Sequence, residues 1–238
     1  MKHLAVITAF FTFAAALFAG EIIQPEIIVH RAPFKCDAKC APLCGYILRI
    51  RADFIEQFNC LPVEKAAFKC SMDEQNLYVE VFMEDKDVVC EAPNSNFPKL
   101  YNISDAVQIL LKSAKHTGVW EINVTSRNIS NAFYYHGPGT IASGVSEKFS
   151  VKSEVSVSGT VNNSKDIDKS WSARVTIPLN VLRRNGLNFR ASENWTMMVV
   201  RNNYGRYIPT REMSSFPQAV KNVYFTERFG SLRLPEAK

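Results

Sequence analysis

After residue 90 this chain of 238 residues has no cysteine, and after its first twenty residues it has no apolar run long enough to cross a bilayer. It also lacks the catalytic signatures that spacing alone can reveal. There is no G-x-S-x-G, no H-E-x-x-H, no Walker loop and no EF-hand loop. "GPGTIASG" (137–144) departs from the G-x-G-x-x-G spacing and opens no helical pattern, so it reads as a turn. Histidines are scarce: beyond the leader, His30, His116 and His136 stand too far apart for a local metal cluster, and no metal or cofactor is expected. Basic residues exceed acidic ones by a net +5 but are scattered. The densest groups, "RIR" (49–51) and "RR" (183–184), are not interleaved with aromatics, which argues against nucleic acid as a partner. Paired carboxylates of a glycosidase meet only in space, so spacing neither finds nor excludes them.

The first twenty residues run from a short basic start, Met1-Lys2-His3, into "LAVITAFFTFAAALFAG". This is the layout of a signal peptide cut after Ala19, so residues 1–19 are expected to be removed and no span to remain in the mature chain. An uncleaved anchor is the alternative, disfavoured by the shortness of the run and the lack of a basic flank behind it. Secretion or a periplasmic location follows as the expectation. All six cysteines, Cys36, Cys40, Cys44, Cys60, Cys70 and Cys90, crowd the N-terminal third. In an exported chain an even number points to disulfides, with fifteen pairings open. The C-x3-C-x3-C spacing suits a zinc site poorly, and Pro42 interrupts any helix that would align the thiols.

From Asn76 onward the pattern is that of strands. "NLYVEVFMED" (76–85) alternates Leu77, Val79, Val81 and Met83 against Tyr78, Glu80 and Phe82. "DAVQILLK" (105–112), "GVWEINVTS" (118–126), "NAFYYH" (131–136), "FSVKSEVSVSGTV" (149–161), "SWSARVTIP" (170–178), "NWTMMVVRN" (194–202), "NVYF" (222–225) and "FGSLRLP" (229–235) follow, parted by Gly, Asn, Pro and Ser turns. No long amphipathic helices lie between them. The expectation is an all-β chain: one antiparallel β-sandwich domain, jelly-roll or immunoglobulin-like, over residues 20–238, with short helical turns and a disulfide-stapled N-terminal segment. "EIIVHRA" (26–32) enters as a strand. "ILRIRADFIEQF" (47–58) fits either a helical face or short strands, and helix or irregular structure is the reading preferred here.

Sugars are held by aromatic faces against their C–H surfaces and by amide or charged groups on their hydroxyls. Two clusters offer such groups at strand ends. "FYYHGPG" (133–139) carries Tyr134, Tyr135 and His136, and "RNNYGRYIPTR" (201–211) carries Arg201, Asn203, Tyr204, Arg206 and Tyr207. Five Asn-x-Ser/Thr sites occur, at Asn102, Asn123, Asn128, Asn162 and Asn194.

The order "LYVEVFMEDKDV", "SDAVQILL", "WEINVTSRN", "WSARVTIPLNVL", "WTMMVVRNNYG", "FGSLRL" resembles the family 9 carbohydrate-binding module and the wider DOMON-like β-sandwich group, over residues 76–234. Its most specific piece is a Trp-led strand ending in Ile-Pro, then a helical turn and a strand ending in Arg: here Trp171, Ile177, Pro178 and Arg201. The resemblance implies a secreted, non-catalytic module that binds mono- or oligosaccharides or polysaccharide chain ends. Any part in carbohydrate catabolism would pass through a separate glycoside hydrolase. It carries ligand-binding roles onto Asp85, Asp105 and Arg201, beside Tyr134, Tyr135, His136 and Tyr207. The family holds sugar between two exposed tryptophans, whereas Trp120, Trp171 and Trp195 here fall in core patterns. Two other classes remain: an interaction or surface-assembly scaffold without a sugar pocket, and a haem-binding DOMON-like domain using Met83 and His136.

Overall fold

A computed structural model describes residues 25–32, 41–51, 54–59, 62–137, 146–184, 186–208, 210–219 and 222–235. Its strands are β1 (Glu26–Arg31), β2 (Ala41–Pro42), β3 (Cys44–Arg51), β4 (Phe54–Asn59), β5 (Ala66–Met72), β6 (Asn76–Glu84), β7 (Ala106–Ser113), β8 (Val119–Thr125), β9 (Ser130–Tyr135), β10 (Glu147–Lys148), β11 (Lys152–Ser158), β12 (Ser170–Pro178), β13 (Trp195–Asn203), β14 (Glu212–Phe216) and β15 (Gly230–Arg233). Short 3₁₀ turns cover Leu100–Asn102, Leu179–Leu182, Ala191–Glu193 and Thr226–Arg228. The all-β expectation is met, as one curled sheet whose two halves face each other across a shared core.

One half runs β10-β9-β8-β7-β13-β15, with β14, β3 and β4 continuing from β13; the other runs β5-β6-β12-β11, with β2 beside β5. β1 joins them. Its first residues, Glu26–Ile28, pair parallel with β15, and its last, Val29–Arg31, pair parallel with β5. Every other strand pair is antiparallel.

Alternation decides which side chains meet in the middle. Leu77, Val79, Val81 and Met83 of β6 and Trp171, Ala173, Val175 and Ile177 of β12 face Val107, Ile109 and Leu111 of β7, Trp120, Ile122 and Val124 of β8, and Met197 and Val199 of β13 in one cluster. The three tryptophans are core residues, each 0–1% exposed. Each indole N–H is met inside: Trp120 donates to Val181 O at 3.0 Å, Trp171 to Asp85 Oδ2 at 3.1 Å and Trp195 to Asn188 O at 2.9 Å. A buried indole needs such an acceptor, because its N–H has left water. The Trp-led strand stops where the sequence says it should. Pro178 is the last residue of β12 and the next four form a 3₁₀ turn, since proline supplies no ladder N–H but suits the entry to a helical turn.

Several expectations are corrected. Residues 47–58 are not helical; they lie in the β3–β4 hairpin, with Ile50 opposite Ile55 and β3 added to the edge of β14. The helical spacing of Ile47, Ile50, Phe54 and Phe58 was outweighed by pairing with that edge, the usual way tertiary context overrides a local pattern. "NVYF" (222–225) is a turn, not a strand. β5 and β14 were not singled out in the sequence. Cys70 and Cys90 are free thiols rather than disulfide partners. Cys70 packs in the main core, while Cys90 packs with Ala92 and Leu100 in a separate small cluster, so the two do not meet. Residues 1–19, Cys36, Cys40, Cys60 and the turn at 138–144 lie outside the described residues. No helix among the described residues is long and apolar enough to cross a membrane.

Candidate functional site

The strands β7, β8, β9 and β13 have a second face, turned away from the core. It carries Gln108 on β7, Glu121 and Asn123 on β8, Asn131 and Tyr135 on β9, and Asn202 on β13. Strand register lines up three of them: Gln108 stands opposite Asn123, and Asn123 opposite Asn131. These groups are nonetheless covered, at 0–1% exposure for Gln108, Glu121, Asn123 and Asn202. The cover comes from the 3₁₀ turn holding Tyr101, the turn after β13 holding Tyr204, and the turn after β14 holding Tyr224, all half-buried at the surface.

Glu121 is the hub. Its Oε1 accepts from Gln108 Nε2 at 3.2 Å and Asn123 Nδ2 at 2.9 Å, and its Oε2 accepts from Tyr224 Oη at 2.8 Å. Tyr135 adds a further side-chain hydrogen bond to it. Burial pushes the Glu121 carboxyl above its ordinary value, against the pull of these donors. Burial beside Glu121 likewise raises the Tyr224, Tyr135 and Tyr101 phenols, so all three stay protonated donors at neutral pH. Gln108 Nε2 also lies 3.2 Å from Tyr224 Oη, which is 3.2 Å from Tyr101 Oη. Asn123 Nδ2 donates to Asn131 Oδ1 at 3.0 Å, and Asn131 Nδ2 to Phe97 O at 2.8 Å.

After these bonds some buried atoms keep no partner: Gln108 Oε1, Asn123 Oδ1, Asn202 Nδ2 and Arg211 Nε. A buried polar atom left unmet costs about 1–3 kcal/mol; others stand on Asp166, Arg201, Asn203 and Ser214, but those of Gln108, Asn123 and Asn202 share this one outward face. An open cleft of about 340 Å³, lined by Ser95, Asn96, Asn131 and Lys148 among others, borders it on the β9 side. Among the described residues no group of His, Cys, Asp or Glu is arranged to hold a metal ion.

The residues singled out in the sequence divide between three places. Tyr135 belongs to this face. Asp85, Asp105 and Arg201 come together, but between the two half-sheets at one end of the core, each 0–1% exposed. Arg201 Nη2 pairs with Asp85 Oδ2 at 3.2 Å and Glu64 Oε2 at 3.5 Å, and Nη1 donates to Glu64 O at 2.9 Å. Asp105 accepts from the backbone N–H of Val89 at 2.5 Å and of Tyr204 at 2.6 Å. These three, expected as ligand contacts, form a buried brace that ties the loops at that end. Tyr134, also expected as a ligand contact, is 0% exposed, its ring 4.6 Å from that of Trp120.

His136 and Tyr207 stand elsewhere on the surface. His136 pairs with Glu147 at 2.6 Å, and Tyr207 carries the Arg206 guanidinium 4.9 Å above its ring. Met83 packs in the core at 1% exposure, out of place as a haem ligand. Sequence reasoning missed Gln108, Glu121, Asn123, Asn202, Tyr101 and Tyr224. The available signal was polar residues alternating with apolar ones inside "DAVQILLK" and "WEINVTS", an outward face that turned out to be covered.

No protein-family model matches the chain, and no curated protein matches it in sequence. Solved structures do match in fold. A protein of Bacteroides uniformis described as a candidate carbohydrate-binding protein superimposes with a TM-score of 0.58 at 12% identity, covering 89% of this chain and 100% of its own. A family 9 carbohydrate-binding module of Caldicellulosiruptor kristjanssonii, in complex with cellotriose, gives 0.53 at 12% identity, covering 90% and 95%. The module from the same organism in complex with glucose gives 0.53 at 14%, covering 90% and 97%. The chain thus has the fold of a family 9 carbohydrate-binding module.

Proposed function

We propose that this chain is a non-catalytic carbohydrate-binding protein. Its sugar would sit on the outer face of β7, β8 and β13, with Tyr101 and Tyr224 as its aromatic walls. The observation that carries this reading is the pairing of those two half-exposed tyrosines with a floor of buried amides whose oxygens, on Gln108 and Asn123, are unmet. Hydroxyls donate to such oxygens, and phenol rings cover sugar C–H faces. The resemblance in sequence implied two tryptophans at such a place; two tyrosines are the pair on offer here. Their hydroxyls lie 3.2 Å apart over the buried amides, so an entering ring would part them. Its own hydroxyls would then replace Tyr224 Oη as partners of Glu121 and Gln108.

The fold of the matching solved structures supports the reading, and so does the chemistry of the covered polar face. The finer expectations stand as part of the proposal: an exported chain, a mono- or oligosaccharide or polysaccharide end as ligand, and a separate enzyme for any breakdown. Calorimetric titration of the folded protein against a panel of neutral and acidic mono- and oligosaccharides tests it. Saturable heat that falls at least ~10-fold in affinity in Tyr224→Ala is the expected result, one aromatic wall and one hydroxyl being lost. Silence across the whole panel would sink it and favour a scaffold that binds other proteins.

A further inference from the structure

Arg201 and Arg211 are both drawn into polar clusters, but only one is neutralised. Arg201 meets Asp85 and Glu64. Arg211, half-buried just before β14, meets no carboxylate among the described residues. Its Nη2 donates to Asn202 Oδ1 and its Nη1 to Asn102 Oδ1 at 3.3 Å, and its guanidinium lies 5.3 Å from the Tyr204 ring centroid. Tyr204 Oη in turn donates to Tyr101 O at 3.0 Å, tying this cluster to the turn that holds Tyr101. The Tyr101 phenol feels both charges, Glu121 raising it and Arg211 lowering it.

Each charge fixes the polarity of the amides beside it. Glu121 takes the N–H of Gln108 and of Asn123, so the atoms they have left are both acceptors. Arg211 takes the oxygen of Asn202, so what Asn202 has left is the donor Nδ2, fully buried, next to the equally unmet Nε of Arg211. The covered face therefore has an acceptor side for hydroxyls, at Gln108 and Asn123, and beside it a donor side, at Asn202 and Arg211, with a whole positive charge. A neutral hydroxyl could meet one of those donors but would leave the charge unanswered. A carboxylate answers both, because guanidinium and carboxylate match in geometry and their hydrogen bonds are charge-assisted.

Resting on the carbohydrate-binding reading above, we propose that the ligand is an acidic sugar, a uronate or a chain ending in one. Its hydroxyls lie on Gln108 and Asn123 and its carboxylate on Arg211 and Asn202. The test is the ratio of affinities for galacturonate or glucuronate, their methyl esters, the neutral parent sugars, and acetate as a carboxylate that is no sugar. Uronate should bind at least ~10-fold tighter than ester and parent, the scale of one charge-assisted hydrogen bond, and acetate should not bind measurably. The preference should shrink as salt rises. In Arg211→Gln the uronate-to-parent ratio should collapse toward one, and in Arg211→Lys, which keeps the charge but not the fork, it should be intermediate. Thermal melts of both variants establish that they are folded. Neutral sugars binding as tightly as uronates, or a ratio unchanged in Arg211→Gln, would overturn the acidic-sugar inference and leave sugar binding standing. Acetate binding as well as uronate would reduce the site to a general anion receptor. Silence toward every sugar would remove both readings.

Discussion

Arg201 shows how much a single buried charge can hold. It has no exposed surface and is met by the carboxylates of Glu64 and Asp85 and by three backbone carbonyls, of Glu64, Lys65 and Glu84. Replacing it by Met keeps much of the volume but strands those carboxylates, and a loss of about 3–5 kcal/mol in denaturant unfolding is expected. Asp85 makes the same brace sensitive to pH. Burial raises its carboxyl from 3.8 to about 6, with Arg201 pulling the other way. A carboxyl raised on folding takes up a proton as the chain folds. Its contribution to stability is therefore complete below about pH 4 and lost as pH rises through about 6. Melting temperature followed across that window should show a component falling with pH that is absent in Asp85→Asn. A slope equal in the two proteins would assign the effect elsewhere. Asp105 is pushed up in the same direction by burial and by Asp85.

At the scale of elements, the turn from β11 to β12 is the tightest piece of construction. Gly159 adopts φ +150°, and a Cβ there would lie 1.9 Å from Asp168 Oδ1. That carboxylate cannot easily yield, since it accepts from Thr160 N at 2.7 Å and Val88 N at 2.8 Å. Gly159→Ala should therefore destabilise by about 2 kcal/mol or more, read from urea unfolding, through strain added to the displaced anchor. The strands flanking such turns were largely legible. β6, β7, β8, β12 and β13 fall where alternating apolar residues put them, because burial on one face imposes a period of two. β3 and β4 were not, since Ile47, Ile50, Phe54 and Phe58 satisfy a helical period as well, and only an open β14 edge breaks the tie. β5 hid for another reason: "AAFKCSM" is short, weakly alternating and stabilised by β6 and the parallel β1 beside it.

For the whole molecule, burial settles the state of two cysteines. Cys70 and Cys90 are each 1% exposed, and burial raises the Cys70 thiol, suppressing the reactive thiolate. In the folded, unreduced protein neither should react with a maleimide. After denaturation without reductant both should, as peptide mass mapping would show; a disulfide found at either position would contradict this arrangement. That core is also why the N-terminal crowding of cysteines does not pair Cys70 or Cys90. Spacing counts thiols, while pairing depends on which of them the two half-sheets bring within reach.

The amino-acid sequence by itself determined the all-β class, the strands with strict alternation, the halt of β12 at Pro178 and the burial of all three tryptophans. Each rests on interactions between near neighbours or on one-sided burial, which a linear pattern records. Only the tertiary structure decided that the outward polar face of β7 and β8 is covered, that Tyr101 and Tyr224 close over it from turns 123 residues apart, and that Arg201 is a brace while Arg211 is drawn onto Asn202 and Asn102. Those outcomes depend on contacts between distant segments. A polar residue looks the same in sequence whether water, a carboxylate or a waiting ligand stands opposite it.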